Sequence, residues 1–243
     1  MWSIFTKEIQ TFFSGLTGYI VLVVFLVMTG LFMWVISDTS VLNYNYASLG
    51  QLFSIAPLVF IFLIPAITMQ SFAEEKQQRT IEFLTTKPLT DIEIILGKFG
   101  ACLTLVIVAI IPTLIYYYSI VQLGSPIGNI DTGAVIGSYI GLIFLAGGFT
   151  AIGLFMSSLT ANQIIAFILA AFACFSIYWV FEFLSNQPLF YGKSDDLVKY
   201  FGMEYHYDNI SKGRIDSKDL VYFLSVIVLF IWLTKISLDK RKW

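Results

Sequence analysis

Apolar residues in this chain gather into six long runs divided by short polar stretches. The runs lie at about Gly18–Ile36, Leu52–Phe72, Phe99–Val121, Gly133–Leu159, Gln163–Phe181 and Leu220–Leu238. Each approaches the ~20 residues that an α-helix needs to cross a hydrocarbon core. None carries Asp, Glu, Lys or Arg in its central part, and Glu182 and Lys235 sit near run ends. The pattern predicts an all-α membrane protein with six transmembrane helices, built as a single transmembrane domain over residues 1–243. Pro57, Pro65 and Pro112 fall inside runs. Bundle contacts make prolines tolerable there, and kinks are expected at Pro57 and Pro65.

Ahead of the first run, Trp2, Ile4, Phe5, Ile9, Phe12, Phe13 and Leu16 are interleaved with Ser3, Lys7, Glu8, Gln10 and Thr11. This suits an amphipathic helix over residues 1–16, lying in the membrane interface with aromatics at headgroup level. A ragged start to the first span is the plainer alternative. Lys7 is followed by Glu8 and the next apolar run is too long for a signal core, so the first span is expected to be retained.

The polar stretch Phe72–Lys98 is the most informative. It holds Glu74, Glu75, Lys76, Arg79, Glu82, Lys87, Asp91, Glu93 and Lys98 between two spans. It is too short for a domain and has the chemistry of a docking element. Two helical pieces are expected. In the first, Glu75 and Arg79 stand i,i+4 with the acid first, the favourable order. Pro88 ends that piece, because it lacks an amide donor and restricts Lys87. In the second, Thr90-Asp91-Ile92-Glu93 is a capping-box pattern. The helix it opens is expected to run through Ile94, Ile95 and Lys98 into the third span. The result would be a surface helix, a turn and a rigid lever.

Composition agrees with the pattern. Mean hydropathy is +0.82, 58% of residues are hydrophobic and 12% are charged. That charged share is about half that of soluble domains. Six spans put both termini on one side. Lys7, Lys76, Arg79, Lys87, Lys98, Lys240, Arg241 and Lys242 would share that side, while Ser37–Gln51 and Gln122–Thr132 have no Lys or Arg. By the positive-inside rule the termini and the 72–98 loop are expected to be cytoplasmic. The segment 184–219 disagrees, with Lys193, Lys199, Lys212, Arg214 and Lys218 on the outer side. It is the longest loop, and acids interleave with its bases.

Candidate chemistry is sparse. No Gly-x-x-x-x-Gly-Lys-Ser/Thr loop occurs, so nucleotide hydrolysis by that route would belong to another chain. No enzymatic activity, resident cofactor, metal or nucleic-acid partner is expected of this chain. Glu74-Glu75-Lys76-Gln77-Gln78-Arg79 spells the Glu-Glu-x-x-x-Arg motif of intramembrane CAAX-type proteases. Such enzymes also need histidines, and His206 is the only one here, expected on the opposite side. A membrane scaffold that transports nothing is a further alternative. Cys102 and Cys174 fall inside apolar runs and read as buried hydrophobes.

The absence of mid-membrane ionisable groups argues against an ion-coupled transporter. It suits a conduit driven from outside the bilayer, with a lipid-like or extended polymeric cargo. Gly133, Gly137 and Gly141 recur every four residues at the start of the fourth span. They suit a subunit or moving interface, or ordinary intrachain packing. In the outer segment, 195–201 suits a short amphipathic helix among Phe190, Tyr191, Tyr205 and Tyr207, either as a cap or as a solvated loop. Asn209-Ile210-Ser211 is a weak match to a glycosylation sequon.

The 72–98 loop resembles the signature of ABC-2-type transporter permeases. The matching residues are Glu74-Glu75-Lys76, Thr80-Ile81-Glu82-Phe83-Leu84, Pro88, and Ile94 followed by Gly97-Lys98. Where that family usually has Gly before the Thr, Arg79 stands here. The resemblance extends over the whole chain, and in detail it is similar to gliding-motility permease subunits of the GldF type. It implies an exporter linked to gliding motility or cell-surface secretion, with ATP and Mg bound by a separate GldA-like ATPase subunit. It also implies a second membrane subunit, GldG-like or another copy of this chain, besides membrane lipid. Carried over by position, Thr80, Glu82, Phe83, Leu84 and Pro88 would form the coupling helix that meets the ATPase, with Glu74, Glu75 and Arg79 at its edge.

Overall fold

The computed structural model describes residues 1–43, 47–80, 90–185, 198–214 and 216–239. Six of its helices are long and apolar enough to cross a membrane. They are α2 (Thr17–Val35), α3 (Gly50–Gln77), α4 (Asp91–Leu123), α5 (Thr132–Leu159), α6 (Gln163–Ser185) and α8 (Ser217–Asp239). Two shorter helices flank them, α1 (Trp2–Ser14) and α7 (Met203–Ser211). No strand occurs among the described residues.

α1 is a separate helix. Ile4, Glu8 and Phe12 form its buried stripe, while Trp2 is exposed. The chain leaves the helix at extended Gly15 (φ −93°, ψ 177°) and turns into α2. The buried stripe packs on the start of α4. A Cβ on Gly97 would come within 3.0 Å of Ile4 Cβ and 3.1 Å of Met1 O, so only glycine permits this approach.

α5 is the centre of the bundle, with about three quarters of its apolar window buried (72%). Phe149, Leu145 and Ile152 are shut off from solvent beside Phe60, Ile64 and Ile67 of α3 and Ala101 and Leu105 of α4. Small residues bring α3 and α5 close: a Cβ on Gly153 would lie 2.1 Å from Thr68 Oγ1. α6 and α8 are peripheral, with 22% and 11% of their apolar windows buried, and so present apolar flanks outward.

Three local outcomes differ from the sequence pattern. α3 carries Pro57 and Pro65 within one unbroken helix and continues five residues beyond Phe72, to Gln77. The start of the first expected loop piece, Glu74 to Gln77, is therefore continuous with the second span, and its residues 81–87 lie outside the described residues. In α4, Pro112 yields a 3₁₀ turn at Ile111–Thr113, because its missing amide cannot continue the α ladder. In the outer segment the helix observed is Met203–Ser211, while residues 195–197 of the expected one lie outside the described residues.

α5 fixes which structures share an end. Ser157 and Ser158, at its C-terminus, meet Phe72 and Lys76 of α3 and Ser237 of α8. Ser138, near its N-terminus, donates to Ser211 O of α7. About 19 residues at 1.5 Å each separate Ser138 from Ser157, so the two ends lie roughly 30 Å apart.

Candidate coupling site at the loop-bearing end of the bundle

The second flank of the 72–98 loop starts at a sharply defined point. Thr90 Oγ1 accepts from Glu93 N (3.3 Å), and Glu93 Oε2 accepts from Thr90 N (3.0 Å), completing the capping box. Two amides that no helical carbonyl can reach are thereby satisfied, which fixes where α4 begins.

Two turns further on, Lys98 is 1% exposed. Its ammonium donates to Ser71 O at 2.7 Å, Glu75 Oε1 at 2.8 Å and Glu8 Oε1 at 3.0 Å. All three N–H donors are used. The Phe72 ring lies 5.2 Å away, within cation–π range. Lys7, more than half exposed, stands 3.5 Å from Glu75 and 3.6 Å from Glu8 and balances the second carboxylate from the rim. Glu75 Oε2 is buried without a hydrogen-bond partner. One ammonium thus joins α1, the end of α3 and the start of α4. A cavity of about 400 Å³ opens beside it, with Glu8, Thr11, Glu74, Gln78 and Thr80 among its walls.

The end of α3 is fastened on its other side as well. Ser157 Oγ accepts from Phe72 N and Ala73 N, each at 3.1 Å, and donates to Met69 O at 3.0 Å. The Lys76 ammonium donates to Ser158 O, and Ser237 Oγ donates to the same carbonyl at 3.0 Å.

Of the residues singled out in the sequence, Glu74 and Glu75 lie in the last turns of α3. Glu74 Oε1 accepts from Gln78 Nε2 at 3.0 Å. The expected Glu75–Arg79 pair does not form. The helix ends at Gln77, Arg79 lies beyond it in the left-handed region (φ 56°), and Glu75 instead faces Lys98. Arg79 occupies the position where ABC-2 permeases usually carry glycine, and its backbone takes the conformation glycine adopts at least cost. Thr80 is half-buried and its N–H reaches back to Glu75 O at 2.9 Å. Glu82, Phe83, Leu84 and Pro88 lie outside the described residues.

Gly137 and Gly141 pack within the chain. A Cβ on Gly137 would meet Ile210 O at 2.8 Å, and one on Gly141 would meet Ile210 Cγ2 at 3.1 Å. These two glycines therefore seat α7 on α5, the intrachain packing that was the plainer alternative. A Cβ on Gly133 would meet only Asp131 Oδ1, at 3.4 Å.

His206 lies on α7, at the end of α5 opposite Glu74 and Glu75. It is buried, with Nδ1 2.6 Å from Asp219 Oδ1, Nε2 2.9 Å from Tyr200 O and its ring stacked 3.9 Å from Tyr222. It serves as a fastener between α7 and α8. With the Glu-Glu-x-x-x-Arg stretch roughly 30 Å away along α5, the protease reading loses its histidine. No cluster of metal-ligating side chains occurs among the described residues.

The Lys98 knot is not apparent from the sequence, where Lys98 reads as one of the loop charges and Glu8 as part of the polar side of α1. One signal was present: Glu8 sits midway between Ile4 and Phe12 at i,i+4 spacing, a carboxylate in the middle of an apolar stripe. The serines of α5 gave no comparable sign.

The sequence model of the family described as "ABC-2 family transporter protein" matches residues 34–191, more than half of the chain. A comparison with curated proteins returns no match. With six membrane-length helices and a capped, charge-tied loop between the second and third, this multi-pass membrane chain belongs to the ABC-2 family of transporter membrane proteins.

Proposed function

We propose that this chain is the permease subunit of an ATP-binding cassette exporter, worked by a separate ATPase that docks on the loop between α3 and α4. Family membership supports the transporter reading and association with an ABC ATPase. The observation that carries the mechanism is the Lys98 knot. Because Lys98 holds Glu75 and Ser71 of α3 together with Glu8 of α1, a push on the intervening loop reaches both loop flanks and α1 at once. The Thr90 cap gives α4 a rigid start, so displacement enters that span as tilt rather than fraying. The partner binds ATP and Mg and supplies the work.

In this reading the loop, both termini and the Lys98 knot face the cytoplasm of a bacterial inner membrane. Lys76 and Lys98 are engaged inside the fold, so the exposed Lys7 and Arg79 carry more of the surface charge bias. The contact itself would be made by Thr80, Glu82, Phe83, Leu84 and Pro88. The subfamily resemblance points to gliding motility or surface secretion, with GldA-like ATPase and GldG-like membrane partners, or a second copy of this chain.

The test is the double variant Glu82→Ala/Phe83→Ala in the assembled complex. Stimulated ATPase activity should be abolished while membrane insertion is retained; unchanged stimulation would overturn the docking assignment. Labelling a cysteine placed at Glu82 from either side of the membrane gives an independent check, since labelling from the outside alone would put the loop beyond reach of any cytoplasmic motor.

A further inference from the structure

At the end of the bundle opposite the Lys98 knot, two spaces meet at one pair of carboxyls. The first is a cavity of about 540 Å³ among α3, α5, α6 and α7, whose walls include Tyr178, Lys199, Tyr205, Asp208 and Lys212. The second is a groove of about 470 Å³ along one flank of α6, formed by Phe175, Val180 and Phe183. Trp179, Glu182 and Glu204 line both. Phe175 and Phe183 are 40% and 67% exposed, so the groove opens toward the lipid side of the bundle. Phe175, Trp179 and Phe183 recur every four residues along α6, across its π-helical turn at Ser176–Val180.

The chemistry of the junction selects an occupant. Glu182 and Glu204 face the junction together beside the Trp179 ring. Two carboxyls facing one space disfavour each other's ionisation unless something positive joins them. Lys212, on the same cavity wall, is already paired with Asp208, one turn along α7 from Glu204. An aromatic wall next to carboxylates favours an organic cation. The apolar groove begins at the carboxyls, so the cationic nitrogen must be carried directly beside the apolar part of the ligand. A phospholipid would bring its phosphate to the carboxyls first and be repelled.

We propose that this junction is a binding site for an alkylammonium-type amphiphile, with its chain in the Phe175–Phe183 groove and its N–H donors on Glu182 and Glu204. Binding does not depend on the ATPase reading and is measured without nucleotide or partner. Burial and the neighbouring Glu182 push the Glu204 carboxyl up to about 8. An alkylammonium, with an ordinary pKa near about 10.4, stays charged across that range. Below about pH 8 the shared proton competes with the ligand; above it the pair is free to receive the cation.

The test uses the full chain in phosphatidylcholine nanodiscs and decylammonium carrying a photoreactive diazirine, with cross-links mapped by mass spectrometry. Saturable labelling confined to the 172–183 stretch and the facing part of α7 is expected, competed by unlabelled decylammonium. Apparent affinity should rise toward tenfold per pH unit from pH 6 and level off above about pH 8. Glu182→Gln/Glu204→Gln should weaken labelling by about tenfold or more. The pH arm needs only the natural chain, so a poorly folding variant does not blunt the test. Labelling that is unsaturable or spread over all lipid-facing helices would overturn the proposal. So would equal labelling by the diazirine fatty acid, equal competition by phosphatidylethanolamine, or a groove closed to the probe by a second copy.

Discussion

Lys98 Nζ lies 2.8 Å from Glu75 Oε1, a charge contact that spans 23 residues of sequence and closes the base of the loop between α3 and α4. Glu8 of α1 completes the contact at 3.0 Å. The loop is therefore a segment whose two ends are clamped to each other and to the N-terminal helix.

Because the knot is buried, its parts are not interchangeable. Lys98→Met leaves two carboxylates facing each other out of water and should destabilise the fold by about 3–5 kcal/mol. The triple variant Lys98→Met/Glu8→Gln/Glu75→Gln removes every buried charge of the knot and should recover much of that loss. Chemical unfolding of both in the same detergent checks the order. A triple variant no more stable than the single one would show that the charges are not what holds these three helices together.

Arg79 has a left-handed backbone without glycine's freedom (φ 56°). Arg79→Gly should stabilise the chain or leave it unchanged, whereas β-branched Arg79→Val should cost about 1–2 kcal/mol. Melting curves of the two variants would differ in sign relative to the natural chain. Equal losses would mean that the turn is set by the arginine side chain.

Glu204 sets a pH dependence. Its folded pKa of about 8 lies above the ordinary carboxyl value of 4.5, so between these limits the folded state holds a proton that the unfolded state has lost. Stability is then fullest below about pH 4.5 and declines as pH rises to about 8. Charges facing this group are Glu182 from α6 and Asp208 from its own helix, with Lys199 and Lys212 on the cavity wall. The midpoint of thermal unfolding should fall between pH 5 and pH 8, and Glu204→Gln should flatten that slope. A slope kept in the Gln variant would assign the titration elsewhere.

His206 and Asp219 hold α7 to the start of α8 through a 2.6 Å contact. Asp219→Asn keeps the shape and loses the charge, at a cost of about 1–2 kcal/mol. Amide exchange within Met203–Ser211 should accelerate before that of α5. His206→Ala added to Asp219→Asn should cost less than the sum of the two, since both break one contact. Strict additivity would show that they act separately.

Gly153 faces Thr68 Oγ1 at a separation no Cβ tolerates (2.1 Å). Gly153→Ala should cost about 1–3 kcal/mol by forcing α3 and α5 apart, and Thr68→Ala should return part of it. A silent Gly153→Ala, measured by chemical unfolding, would show that the helices have room to separate.

The architecture was legible in the sequence because each span is a local property. A run of apolar residues long enough for a bilayer must be helical there, since backbone groups in hydrocarbon have to pair within their own segment. The Thr90 cap was legible for the same reason: donor and acceptor lie three residues apart. What lay beyond local reach were the pairings between distant segments. Nothing near Lys98 reveals that Glu8, 90 residues earlier, will neutralise it. Nor does Gly137 announce that its neighbour is Ile210 rather than another subunit. Glu182 and Glu204 lie on either side of the long outer segment, and only the seating of α7 on α5 brings them together. Hydrophobic length determined how many times this chain crosses the bilayer, because burial of apolar surface depends on stretches. The tertiary structure alone decided which charges are buried and shared, because an ion's cost inside a protein depends on the partner that folding delivers to it.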